Sequence, residues 1–164
     1  MNEQWNFLEG SYWYVPTEYI LATQMAATDT EPSLMTDQTV WQITGYRDGY
    51  FWGNCAVLMY ANGEEPGEPN SFKMIGSVTS DGSVQISFMP INKLGAALST
   101  SGWGKMVKQN DLWTFEMQMS SGSTELNSHW AFMYATSEGE PSWNQLPGVD
   151  YSVPEFLEAA GFEI

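Results

Sequence analysis

The sequence predicts an all-β protein: an antiparallel up-and-down β-barrel of about eight strands with a short C-terminal helix. Apolar and polar residues alternate with a period of two along most of the chain, which is typical of half-buried strands. Asp48–Gly49 and Asp81–Gly82 lie between such runs, and Asp-Gly is a strong signal for a tight hairpin turn. Closing consecutive hairpins into a barrel removes the exposed sheet edges. A β-sandwich is the alternative fold.

Eight runs have the composition and alternation of strands. They are residues 11–16, 39–46, 50–60, 71–79, 83–90, 102–108, 112–120 and 126–135. Pro16 ends the first run, because proline cannot donate to a sheet ladder. Residues 17–27 fit either a short helix capped by Thr17 or a further strand, and the sequence does not separate the two.

The C-terminal end carries the start and stop signals of one helix over residues 152–162. Ser152 is a capping residue, Pro154 fits the first turn, and Gly161 ends the helix. The chain has the length of a single domain and shows no internal repeat, so we expect one domain over residues 1–164.

The charge is one-sided, with twenty acidic against five basic residues and a net charge of -15. Such a field repels phosphate backbones and anionic lipids, so we expect neither nucleic-acid nor membrane partners. No secretory leader is visible and no apolar run is long enough to span a bilayer, so the expected location is the cytoplasm; a mature secreted chain whose signal has been removed is the alternative. One cysteine and one histidine argue against a disulfide and a structural zinc site. Nucleotide-binding and zinc-hydrolase motifs are absent, and we expect no metal and no cofactor.

Large apolar side chains are more numerous than one small barrel interior can easily hold. The chain has eight each of Trp, Tyr and Phe and ten Met, so some are expected to line a cavity or an interface. The run 50–60 is apolar on both faces, with Phe51 and Cys55 on one and Trp52 and Leu58 on the other. Because a strand buried on both sides needs cover outside the barrel, this run predicts a homodimer.

The N-terminal stretch LEGSYWYV (8–15), together with the barrel pattern, resembles a lipocalin-like (calycin) chain, whose first strand carries a Gly-x-Trp signature. Gly10 matches the glycine, but Tyr12 holds the tryptophan position and Trp13 follows it. The resemblance covers the strand pattern of about residues 8–135. It implies a cup-shaped cavity for a small apolar molecule and fits carriers as well as enzymes.

His129, the sole histidine, is a candidate acid, base or ligand donor in the stretch ELNSHWAFMYA (125–135). It shares a strand face with Ala131 and Met133, while Trp130 and Phe132 occupy the opposite, more apolar face. If the more apolar face lies inward, His129 faces solvent. The two-sided burial of 50–60 and the apolar neighbours of His129 favour the other orientation, so its direction stays open.

Tyr12, Tyr14 and Glu116 are the other candidate catalytic residues. The two tyrosines share one face of the first strand, about 7 Å apart, and paired phenols can hold a ligand oxygen or donate a proton. They could equally be wall residues with hydroxyls at the barrel rim. Glu116 lies among apolar neighbours. Facing inward, its raised pKa would make it a usable acid or base; facing outward, it would be an ordinary strand residue.

Six residues are candidates for substrate binding. Tryptophan faces can pin an apolar substrate and stabilise a developing cation. Around the first Asp-Gly hairpin, an amide and a cation are available, and the arginine is either an anchor for an acidic ligand or a surface residue. These candidates are Trp41, Tyr46, Arg47, Trp52, Asn54 and Trp113.

Together these features predict a cofactor-independent barrel enzyme, a lyase, isomerase or cyclase. It would act on a small hydrophobic or aromatic molecule by proton transfer in an aromatic-lined cavity. The alternative is a non-catalytic carrier or sensor of a small hydrophobic ligand, which the lack of a sharp catalytic motif favours. Long loops at 28–38, 61–70 and 136–151 could act as lids and favour the enzyme.

Overall fold

A computed structural model describes residues 2–91, 100–122 and 125–164. The described part contains nine strands, two short α-helices and a 3-10 helix over Glu3–Leu8. The strands are β1 (Ser11–Tyr14), β2 (Leu21–Ala26), β3 (Ser33–Arg47), β4 (Tyr50–Ala61), β5 (Asn70–Val78), β6 (Ser83–Pro90), β7 (Thr100–Gln109), β8 (Leu112–Gly122) and β9 (Glu125–Thr136). The helices are α1 (Pro141–Asn144) and α2 (Val153–Ala159).

The sheet closes into an antiparallel barrel of eight staves, where a stave is one strand position around the barrel. Strands β3 to β9 pair in chain order, and β1 and β2 both pair with β3 on one side and β9 on the other. They therefore share one stave, which is interrupted at residues 15–20, where Pro16 cannot donate a ladder hydrogen bond. The predicted fold class is confirmed, and closure of the sheet excludes the sandwich.

Local signals in the sequence explain most element boundaries. Asp48 and Gly49 both have positive φ, as a type I′ hairpin turn requires. Residues 21–26 of the ambiguous segment form a strand. The predicted C-terminal helix is present as α2, and its Ser152 and Glu155 form a capping box. Within the described residues, no helix is long and apolar enough to cross a bilayer.

One end of the barrel is plugged by the N-terminal 3-10 helix. Trp5 of this helix is buried, and its ring centroid lies 4.8 Å from that of Trp113. Its Nε1–H donates to the Thr79 carbonyl at 3.0 Å. At the other end lie the connections β2–β3 and β4–β5, and this end is not covered by the 3-10 helix.

A second core lies outside the barrel, where the C-terminal segment packs on β3 and β4. Val40, Ala56 and Leu58 contact a cluster that includes Phe156 and Leu157 of α2. The expectation that a second subunit covers the outer face of 50–60 is therefore wrong for these residues, because the chain covers them itself. Trp52, further along that face, remains 43% exposed. The homodimer through this strand stays a prediction.

Candidate functional site

A cavity of about 330 Å³ occupies the end of the barrel opposite the 3-10 helix. This volume is in the range of small-ligand sites. Its described lining combines aromatic and thioether-bearing side chains with a comparable number of polar ones. The apolar part includes Trp41, Phe72, Phe88 and Met119, and the polar part includes Thr39, Cys55, Asn127 and His129.

His129 faces into the barrel. It shares an alternating face with Ala131 and Met133, which are fully buried in the inner core. Trp130, on the opposite face, is 55% exposed. The more apolar face of β9 is therefore the outer one and does not mark the barrel interior. The outer surface of β9 carries exposed aromatic rings, and the inner surface carries small and flexible side chains.

Asp37 lies next to His129 and was missed by sequence reasoning. Its side chain is 1% exposed, and its Oδ2 lies 3.9 Å from His129 Nδ1. Thr39 Oγ1 donates to Asp37 Oδ1 at 3.1 Å. The predicted strand started only at residue 39, since the polar stretch TDQT (36–39) interrupts the apolar alternation. Extending the inward parity of Trp41 back by two and four residues would have placed Thr39 and Asp37 on the inner face.

The break in the first stave brings Asp37 and His129 to face each other. On β3, pairing with β1 starts at Val40 and pairing with β2 ends at Thr36. On β9, Ser128 is the last residue paired with β2, and pairing with β1 resumes at Tyr134. No paired residue of that stave therefore lies between Asp37 and His129.

Gln38 spans the break on the outer side. Its Oε1 accepts from the Val15 backbone N–H at 3.0 Å, and its Nε2 donates to the Val15 carbonyl at 3.0 Å. The same Nε2 donates to the Pro147 carbonyl at 2.9 Å. The side chain of Gln38 therefore replaces ladder hydrogen bonds and ties the C-terminal segment to the barrel next to Asp37.

Burial dominates the acid–base properties of the site. It raises the pKa of the Asp37 carboxyl, although His129 and the Thr39 hydroxyl lower it in part. Burial also raises the pKa of the Cys55 thiol well above its ordinary value, and the charge of Asp37 raises it further. Cys55 is thus held as a neutral thiol, which disfavours it as a nucleophile.

Two buried nitrogen atoms at the site have no hydrogen-bond partner among the described residues. They are Nδ1 of His129 and Nε1 of Trp41. Buried polar groups are nearly always paired, so such exceptions point to function or to a missing partner.

The other predicted catalytic residues lie outside the cavity. Tyr12 and Tyr14 are on the outer face of β1 and pack against the outer core, while Trp13 between them is buried in the inner core. The Tyr12 ring lies edge-on to Trp143 with centroids 4.9 Å apart. Glu116 is exposed between two buried neighbours, because strand alternation turns it outward. The structure does not bring these three residues to His129.

Of the six predicted binding residues, Trp41 lines the cavity. Tyr46 lies at the plugged end, where its hydroxyl donates to the Asn2 carbonyl at 2.6 Å. Asn54, on the outer face, donates to Gln42 Oε1 at 2.8 Å. The remaining three are Arg47, exposed beside the first hairpin turn, Trp52, exposed on the outer face, and Trp113, packed against Trp5.

Residues at the rim of the cavity are polar. Gln24 Nε2 donates to Glu125 Oε2 at 3.0 Å and to Asn127 Oδ1 at 3.2 Å. Of the predicted lid loops, 61–70 connects β4 to β5 at this end, whereas 28–38 lies largely in β3 and 136–151 runs towards the outer core.

Across the described residues, no three side chains of His, Cys, Asp or Glu are grouped to hold a metal ion. Comparison with known proteins returned no matching family model, no similar curated protein and no similar solved structure. The closed antiparallel barrel is compatible with a lipocalin-like fold. The chemistry of the site therefore rests on its own geometry.

Proposed function

We propose that this protein is a cofactor-independent barrel enzyme, a lyase, isomerase or cyclase, in which His129 transfers a proton on a small hydrophobic or aromatic molecule. One observation carries the proposal. His129 lines an aromatic cavity, and a buried carboxylate, Asp37, lies 3.9 Å from its Nδ1.

An aspartate beside one imidazole nitrogen fixes the ring and its tautomer. With Nδ1–H directed at Asp37, the other nitrogen, Nε2, is left to accept a proton from a ligand. The distance of 3.9 Å exceeds a hydrogen bond, and such contacts commonly shorten when a substrate binds. The Asp37 side chain is buried, which strengthens its interaction with a charged imidazole.

The buried carboxylate of Asp37 lowers the stability of the fold, so its presence supports a functional role. Among the described residues, the polar contacts of the Asp37 side chain are the Thr39 hydroxyl and the side chain of His129. Burying a carboxylate with so few partners is unfavourable. Residues that destabilise the fold in this way are characteristic of functional sites.

The carrier alternative has its own support. Much of the cavity wall is apolar, and the tyrosines and Glu116 that were expected to share the chemistry lie outside. The proposal of a calycin relationship rests on the eight-stave barrel and the Gly10–Trp13 stretch, and it fits both functions. The cytoplasmic location and the preference for a small hydrophobic ligand stay predictions.

The test follows proton exchange in D₂O. Wild type is incubated with a panel of small enones, epoxides and aromatic ketones, and deuterium uptake or conversion is measured by NMR. We expect His129→Ala to lower the rate about 10²- to 10⁴-fold. Glu116→Gln, an exposed change on the outer face, is the matched control and is expected to keep the wild-type rate. Binding of panel compounds without exchange or conversion in wild type would instead favour the carrier.

A further inference from the structure

The indole of Trp41 differs from the other buried tryptophans of the described chain. Trp5 Nε1–H donates to the Thr79 carbonyl at 3.0 Å, and Trp13 Nε1–H donates to Ser11 Oγ at 2.7 Å. Trp41 is fully buried as well, yet its Nε1 has no hydrogen-bond partner. An indole N–H can only donate, so this group needs an acceptor.

Aromatic packing holds the indole in place. Its ring centroid lies 5.2 Å from that of Phe115, edge-on, and 5.9 Å from that of Phe88. Across the strands, Trp41 is paired with Cys55. The indole N–H approaches the sulfur and lowers the pKa of that thiol, but the geometry falls short of a hydrogen bond, and a thiol sulfur is only a weak acceptor. Trp41 is thus held in place at the cavity, which it lines together with His129.

Charge restricts the kind of acceptor. The described lining contains neither Lys nor Arg, and its charged members and neighbours, Glu125 and Asp37, are acidic. The whole chain carries -15. The acidic charge disfavours an anionic ligand, and a neutral acceptor group fits the described lining better.

We infer that the cavity takes a neutral carbonyl compound with an apolar or aromatic remainder, whose oxygen accepts a hydrogen bond from Trp41 Nε1–H. This inference rests on the proposed function of the cavity and names its substrate class.

The proposed proton transfer needs no further reactant. His129 Nε2 takes a proton from the carbon next to the carbonyl, the C–H bond breaks, and its electron pair moves to the carbonyl oxygen as an enolate. Where the substrate also carries a β,γ double bond, the enolate is a dienolate, and return of the proton from His129 to the γ carbon re-forms the carbonyl and leaves an α,β double bond, which completes an isomerisation. A fixed N–H at the oxygen stabilises the negative charge that develops there, so Trp41 assists the same step as His129.

The test compares ligands with and without the oxygen on proteins with and without the N–H. The probes are 2-acetylnaphthalene and 2-ethylnaphthalene, which have similar shapes, and affinity is measured by calorimetry. Wild type is expected to prefer the ketone about 10-fold, and Trp41→Phe to lose that preference while keeping its affinity for the hydrocarbon. Trp13→Phe, at the plugged end, is the control that should keep the preference.

An NMR measurement on wild type covers the case in which Trp41→Phe does not fold. The Trp41 indole N–H resonance is expected to move downfield with the ketone and not with the hydrocarbon. Equal affinity of wild type for both probes, no binding of either, or an unmoved resonance would overturn the inference. Loss of exchange in His129→Ala is a separate readout, so the role of Trp41 can fail while that of His129 stands.

Discussion

The two ends of the barrel interior differ, although the same strands form both. Side chains fill the end next to the 3-10 helix (the plugged end), whereas the opposite end (the open end) contains the cavity. At the plugged end, Phe115 lies between Trp13 and Phe51, with ring centroids 4.6 and 6.0 Å away, and the Trp13 N–H is satisfied by Ser11. At the open end, the space is left as a cavity, and the carboxylate of Asp37 is buried with few partners. Close packing stabilises the first end, whereas the second end holds a cavity and a buried carboxylate, both of which lower stability.

We expect removal of an aromatic ring at the plugged end to cause the largest loss of stability. Phe115→Ala deletes a fully buried ring and is expected to lower the free energy of unfolding by about 3–5 kcal/mol. Phe72→Ala is the matched change at the open end, where the ring is only partly buried and lines the cavity. Urea unfolding of both variants measures the contrast. Equal losses would show that the open end is packed as tightly as the plugged end.

Gln38 joins the two broken parts of the first stave, and its removal should have the next largest effect. Gln38→Ala loses three hydrogen bonds to Val15 and Pro147 and leaves buried backbone groups unpaired. We expect a loss of about 2–3 kcal/mol in the free energy of unfolding, measured by urea unfolding, together with slower proton transfer because Asp37 adjoins it. Gln42→Ala, on the same face, provides a control. Wild-type activity in Gln38→Ala would contradict a link between the break and the site.

Neutralising Asp37 should stabilise the fold and impair the function. The pKa of Asp37 is raised in the folded state. The contribution of this group to the stability of the fold is therefore favourable below the unfolded-state pKa and is lost as the pH rises through the folded-state pKa. At pH 7, Asp37→Asn is therefore expected to be more stable than wild type by about 1 kcal/mol and to transfer protons more slowly.

Thermal unfolding between pH 3 and pH 8 measures this prediction. The advantage of Asp37→Asn should shrink as the pH falls, since wild-type Asp37 is then protonated as well. A variant that is less stable than wild type at neutral pH would show that the carboxylate is structural.

Cys55 should give the smallest effect, although it lines the same cavity. Because its thiol is buried and its pKa is raised, we expect Cys55→Ala to change the proton-transfer rate by less than about threefold, at a modest cost in stability. The exchange assay in D₂O measures the rate. A much larger loss of rate would give the thiol a part in the reaction.

Alternation in the sequence identified the strands well, because each strand carries its own pattern and the Asp-Gly turns fix where it ends. It could not tell which face lies inside. Met133 and Trp130 occupy opposite faces of β9, and the less bulky set is the one that packs in the inner core. Asp37 was not found, because its polar neighbours break the pattern. The C-terminal helix was predicted from its caps, but its contact with Leu58 depends on residues distant in sequence.

The interrupted stave also bears on the order in which the strands pair during folding. Strands β3 to β8 can form one hairpin after another from local contacts, whereas Asp37 and His129 lie far apart in the chain and meet only when β9 joins the N-terminal stave. Such long-range closure is a slow kind of step. We therefore expect Asp37 and His129 to come together late in folding, after most of the other strands have paired.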